Sequence, residues 1–204
     1  MKIVAAILLS LTLARGQYPD SVVHHELNQP IIPGNVDYGL LQTAIVLTTN
    51  QVRAERDYES LLPDSSLACA AALQAEYLSN ERALIHQNRS DRKLKTPALR
   101  VTECGGMPSA VAENLARMTI FDTGKSGRFF VADNGSPVNE AGQPLPTLSY
   151  LELAEKIARG WLESEGHRRN LLGAFSHIGV AVKRMETGKE ILPTLVFVQN
   201  FGKY

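Results

Sequence analysis

The apolar pattern of this chain changes period partway along, and that change restricts the fold more than any single motif. From His177 to Arg184 apolar residues alternate, with Ile178, Val180 and Val182 on one side. Leu195 to Phe201 alternates too, placing Leu195, Phe197 and Phe201 on one side and Val196 and Val198 on the other. A repeat of two marks strands with distinct faces, and Thr187-Gly188-Lys189 between them reads as a hairpin turn. Upstream the repeat is helical. A helix is expected over Leu40 to about Tyr58, with Leu41, Ala44, Ile45, Leu47 and Val52 on its apolar side and Asn50, Arg53, Glu55 and Arg56 on its polar side. Pro63-Asp64-Ser65 stops one element and caps the next, expected from about Ser66 to Leu84 with Leu67, Ala70, Ala71, Leu73, Tyr77 and Leu78 inward. Its many alanines imply close approach to a neighbour. Ser149 and Glu152 make a capping box opening a helix that carries Leu151, Ala154, Ile157, Ala158 and Trp161 on one face. Helices first and an antiparallel hairpin last define an α+β domain, with helices packed on a small sheet.

The remaining segments are less regular. Residues 17–38 carry Pro19, Pro30, Pro33 and Gly34 without a steady period, and are expected to form an extended N-terminal arm, lying on the domain or partly mobile, ahead of a domain spanning 39–204. Pro108 to about Met118 reads as a short helix holding Glu113-Asn114. A long inserted loop follows at 119–147, rich in Gly, Pro, Asn and Asp, the kind of segment that serves as a lid or contact loop. Its apolar anchor, Phe129-Phe130-Val131, either tucks into the core beneath the loop or offers the contact surface of an adhesive module.

Composition excludes some functions. The 204 residues hold 21 Lys plus Arg and 21 Asp plus Glu, so no basic field for nucleic acid exists. Met1-Lys2, the apolar run Ile3 to Leu13 and the small residues of Ala14-Arg15-Gly16 form a signal peptide over residues 1–16, too short for a membrane span. The mature chain is thus expected to be secreted, extracellular or periplasmic, with no transmembrane segment. In an oxidising compartment the two cysteines, Cys69 and Cys104, permit one disulfide. The alternative is a buried Cys69 on the alanine-rich helix and a free Cys104.

Several motifs carry little. Thr123-Gly124-Lys125-Ser126 lacks the earlier glycine of a phosphate-binding loop, since Thr119 stands there. Asn88-Arg89-Ser90 and Asn134-Gly135-Ser136 match glycosylation acceptors, the second followed by Pro137. No G-x-S-x-G or H-E-x-x-H occurs. The informative set is His86, Glu113, Glu163 and His167, ionisable groups at the ends of apolar runs. Two neutral imidazoles and one carboxylate are a common first shell for zinc, with a fourth position for water. The same groups can instead hydrogen-bond one another, a carboxylate fixing each imidazole tautomer.

At this point the chain resembles a known family. Asn50-x-x-Arg53, the Leu67 to Tyr77 helix, His86, Glu113-Asn114-Leu115-Ala116, Trp161-x-x-Ser164-x-Gly166-His167-Arg168-x-Asn170-Leu171, Ile178-Gly179-Val180 and Val198-Gln199-Asn200-Phe201-Gly202 resemble, in that order, the CAP superfamily of cysteine-rich secretory proteins, antigen 5 and pathogenesis-related proteins, in its bacterial-type, SCP-like branch. The resemblance implies a three-layer α–β–α sandwich with a small antiparallel sheet between helices, and a central cleft of two His and two acids, sometimes holding a divalent metal. His86, His167 and Glu113 fall on matching positions. Ser164 falls where the second acid lies, with Glu163 one residue before it. The cleft set is therefore His86, Glu113, Glu163, Ser164 and His167, and the metal set His86, His167 and Glu113, with zinc or another divalent metal as cofactor. Two functions follow. One is a secreted, non-catalytic binding protein for a metal or a polar or lipid ligand, with a small ligand or cell-surface component as partner. The other is a metal-assisted hydrolase of peptides or cell-wall polymers that uses Glu113 as general base.

Overall fold

The computed structural model describes residues 20–124, 127–186, 188 and 191–204. The expected signal peptide lies outside the described residues, as do Thr187 and Lys189 of the expected turn. Among the described residues six α-helices and six strands follow in order: α1 Asp20–Leu27, α2 Tyr38–Ala54, β1 Leu62–Pro63, α3 Ser65–Ser79, α4 Pro97–Glu103, β2 Ala110–Thr119, β3 Phe130–Val131, β4 Pro137–Val138, α5 Tyr150–Glu163, α6 Glu165–Leu171, β5 His177–Arg184 and β6 Thr194–Lys203. Among the described residues, no helix is long and apolar enough to cross a membrane.

The main sheet has the order β1-β5-β6-β2 and is antiparallel except where β1 runs alongside β5. Strand parity puts its two faces into different cores. Ile178, Val180, Val182, Leu195, Phe197 and Phe201 join Leu41 and Ile45 of α2 and Leu153, Ile157 and Trp161 of α5. Ala181, Val196 and Val198 turn the other way, onto Ala71, Ala75 and Leu78 of α3. Helices thus cover both faces, and the chain is an α–β–α sandwich. The alanines of α3 do what their size permits. A side chain on Gly179 of β5 would come within 2.1 Å of the Ala68 nitrogen, so helix and strand backbones are in contact there. The single disulfide joins Cys69 on α3 to Cys104, which caps the C-terminus of α4.

Five local expectations change. The segment expected as a helix from Pro108 to Met118 is strand β2, paired along its whole length with β6. Its Ala, Glu and Leu residues favour a helix locally, but ten cross-strand partners and burial against α3 and α5 outweigh that preference. The N-terminal arm is not simply extended. It contains α1, and its Leu27 and Ile31 are fully buried, with the Ile31 amide donating to the Leu148 carbonyl at 2.9 Å. On α2, Leu47 faces solvent, while Thr48, Thr49 and Arg53 turn inward. Helix α3 ends at Ser79 rather than near Leu84. In the insert, Ile120, Phe121, Leu145 and Leu148 join the core and Phe129 packs against it, whereas Phe130 and Val131 stay exposed on the β3–β4 hairpin, so the expected anchor divides between the two placements.

Candidate functional site

The site is built on β2, one of the two edge strands of the sheet. Successive side chains of a strand point to opposite faces, so Glu113 and Asn114 leave β2 in opposite directions. Glu113 turns toward α3 and α4, and Asn114 toward α5 and α6. His86, on the connection after α3, meets Glu113 directly, with Nδ1 at 3.0 Å from Oε1. The carboxylate is almost wholly buried, and the imidazole is half exposed.

The other carboxylate oxygen belongs to a residue that the sequence reading did not single out. Arg100, on α4, is fully buried and places Nη2 2.6 Å from Glu113 Oε2. Its Nη1 donates to the Leu94 carbonyl at 2.8 Å, and both terminal nitrogens lie 3.4 Å from the His86 carbonyl. Asn200, opposite Glu113 on β6, completes the surround. With its amide nitrogen turned to the carboxylate it donates to Oε2 at 3.1 Å and accepts from the Ala71 amide at 3.0 Å. A buried carboxylate is tolerated only when paired and hydrogen-bonded, and this one is both. Arg100 had a readable signal. It lies one helical turn before Cys104, so a disulfide that points Cys104 at α3 points Arg100 inward as well.

His167 arrives from the other side. Helix α5 ends at Ser164, whose extended backbone starts α6 in a new direction. Asn170, one turn after His167, donates to Asn114 Oδ1 at 2.9 Å and to the Glu113 carbonyl at 3.2 Å. Asn114 donates in turn to the His167 carbonyl at 3.2 Å and to Gln199 at 3.3 Å, and Gln199 donates to Thr49 on α2 at 2.8 Å. This amide chain locks α6 to β2. Trp161 holds the preceding helix by donating to the Leu115 carbonyl at 3.0 Å. The His167 ring is half-buried. Burial, and then the charge of His86, hold its pKa below the ordinary imidazole value. The two imidazoles are therefore within electrostatic reach of each other, one from each side of the β2 edge.

The remaining expected site residues stand apart. Glu163 is exposed at the end of α5, and Ser164 sits at the α5–α6 break. Among the described residues, no hydrogen bond or ion pair joins either side chain to His86, Glu113 or His167. No group of three or more His, Cys, Asp or Glu among the described residues is arranged to hold a metal ion. Asn88 is buried, its Oδ1 accepting from the Ser90 amide at 3.0 Å, so the fold leaves no room for a glycan on this side chain. A cavity of about 390 Å³, lined by Glu26, Asn35, Asp37, Leu40 and Tyr150 among others, shares no residue with the site.

An α–β–α sandwich with a paired His and Glu beside a second His at its edge strand defines an SCP-like domain. The model of the CAP family, described as the cysteine-rich secretory protein family, matches residues 46–201, and the chain belongs to that family. No curated protein matches the chain. Among solved structures, it is similar to an extracellular protein containing an SCP domain from Bacillus anthracis, at 18% identity and a TM-score of 0.56, over 91% of this chain and 50% of that one. It thus spans half the length of the Bacillus protein. An outer surface protein from Borrelia burgdorferi matches at 17% identity and a TM-score of 0.52, over 86% of this chain and 98% of its own. A cysteine-rich secretory protein from Staphylococcus aureus matches at 14% identity and a TM-score of 0.50, over 82% and 40%. At these identities the likeness is one of fold.

Proposed function

We propose that this chain is a secreted CAP domain whose cleft binds a ligand without transforming it, and that a divalent cation such as zinc is the first candidate. The observation that supports this is the division of labour around Glu113. Both of its oxygens are already engaged, by His86 and Arg100, and its side chain is 1% exposed. It serves as a support behind His86 rather than as a third ligand. What remains on offer is the pair of imidazoles, and neutral imidazole nitrogen is a good donor to zinc. The lowered pKa of His167 keeps that ring in its neutral, ligating form at neutral pH. A bound cation would supply a Lewis-acidic anchor for a polar group of a further ligand, small or on a cell surface.

The hydrolase reading has less support. It needs Glu113 to take a proton from water, and this carboxylate is buried beneath His86. Calorimetric titration of the mature protein with zinc tests the binding reading. Saturable uptake that weakens in both His86→Gln and His167→Gln is expected, and uptake indifferent to both substitutions removes the metal from the proposal. Export is tested separately, by N-terminal sequencing of the protein recovered outside the cell, which should begin at Gln17.

A further inference from the structure

We infer that Arg100 is a positioning residue for this site: through Glu113 it fixes which nitrogen of His86 carries the proton and which faces the cleft. The inference deepens the binding reading above, and rests on it only for its affinity arm.

A carboxylate that shares one oxygen with a guanidinium can offer the other only as an acceptor. His86 Nδ1, 3.0 Å from Glu113 Oε1, must therefore be the donor. Neutral imidazole has one N–H, so the proton on Nδ1 leaves the lone pair on Nε2. Arg100 secures this arrangement at two points. Its Nη2 holds Oε2 at 2.6 Å, which aims Oε1 at His86. The same guanidinium reaches the backbone of His86 itself, at 3.4 Å from the carbonyl, so ring and main chain are held from one place. Among the described residues Arg100 Nε has no partner, so the fully buried guanidinium spends its bonds through its two terminal nitrogens, on Glu113, the His86 carbonyl and the Leu94 carbonyl.

The surrounding structure gives Arg100 little freedom to do anything else. It lies on a short helix pinned at one end by the Thr96 cap and at the other by Cys104, whose disulfide reaches α3. No second cation among the described residues approaches Glu113, so its Oε2 depends on Arg100 and on the neutral Asn200 amide alone.

The experiment is nitrogen-15 NMR of the imidazole side chains at mildly alkaline pH, on the full-length mature protein, with zinc titration alongside. In the wild type, His86 should show a protonated Nδ1 and an unprotonated Nε2; the opposite tautomer overturns the inference at once. In Arg100→Met the His86 signals should move toward a mixed tautomer while those of His177, remote from the site, stay in place. Zinc affinity should fall by about 10- to 100-fold, the usual cost of losing an outer partner of a ligating His. Arg100→Lys keeps a cation for the buried carboxylate, which protects folding, but loses the planar fork, so the same change at smaller size is expected. A folded Arg100 variant with lower thermal stability and an unchanged His86 spectrum means a merely structural role and sinks the inference. If wild-type protein takes up no zinc, the binding reading fails while the tautomer comparison still decides the role of Arg100.

Discussion

Among the described residues two arginines are fully buried, and they are buried on different terms. Arg53, on α2, has no carboxylate partner among them. It donates to the carbonyls of Glu59 at 2.8 Å, Leu171 at 2.8 Å and Gly173 at 3.0 Å, and its guanidinium lies 5.6 Å from the Tyr58 ring centroid. Burial depresses its pKa, with the Tyr58 charge acting the other way. Arg100 instead faces one carboxylate, which in turn faces a half-exposed imidazole. The first ties backbone to backbone, holding the end of α2 to the turn between α6 and β5. The second ties charge to a ring that solvent can reach. An internal guanidinium can close a fold or prepare a site, and its partners tell which.

Substitutions can break that contrast. The largest loss is expected for Arg53→Leu, which strands several buried carbonyls and should cost about 5 kcal/mol in urea unfolding, with the His86 spectrum of any folded fraction unchanged. Arg100→Met leaves Glu113 without its cation, a loss of about 4 kcal/mol by the same measurement. Here the two residues should part company. Replacing both members of the pair, in Arg100→Met with Glu113→Leu, should recover most of the stability, because an apolar pair needs no charge partner. No such rescue exists for Arg53, whose partners are main-chain carbonyls; equal recovery by a second-site change there would erase the distinction.

Removing the disulfide, in Cys69→Ala with Cys104→Ala, should lower stability by about 4 kcal/mol for a closed loop of this length on the chain-entropy model. It should disturb His86, because Cys104 ends the helix that carries Arg100, and leave the Arg53 surroundings alone. Chemical shifts mapped over both regions decide this. The smallest effect concerns pH. With the His167 pKa depressed in the fold, the neutral ring is favoured there. Its contribution to stability is then complete above the unfolded imidazole value of about 6.5, and is lost as pH falls through that value toward the lower folded one. His86→Gln removes the lesser of the two causes, so His167 should titrate only part of the way back upward in an NMR series. No movement at all would mean that the two imidazoles do not sense each other.

Much of the fold was legible because single residues reported on a whole face. The alternation in β5 and β6 divided Leu195, Phe197 and Phe201 from Val196 and Val198 as the two cores do. Ser149 and Glu152 form the capping box that their spacing implies. The alanines of α3 announced a close approach, and the two cysteines met. The pairing of His86 with Glu113 was also within reach of the sequence, as one of two arrangements left open. What was hidden is nonlocal. Ala112 to Ala116 has helix-forming composition, and only its partner β6 makes it a strand. Arg53 looks like a solvated charge, since the carbonyls that receive it come from distant segments, and Arg100 is marked as inward only by its spacing from Cys104, with nothing local to name Glu113 as its partner. Glu163 was read from its place at the end of an apolar run and Ser164 from resemblance, and a one-residue difference at a helix end decides which way a side chain points.

The alternation at Glu113 and Asn114 has a consequence for how such a domain tolerates change. Losing or gaining one residue in the first half of β2 would exchange the two, sending the amide under α3 and the carboxylate toward α6. The guanidinium would then meet no anion and His86 no acceptor, although every chemical group of the site would still be encoded. Length changes in the 119–147 insert leave this parity alone, because its ends are brought together by the Phe121 and Thr147 bridge. The exposed part of the loop can therefore change length without disturbing the site, provided its buried Ile120, Phe121 and Leu145 stay, while the strand beside it must keep count.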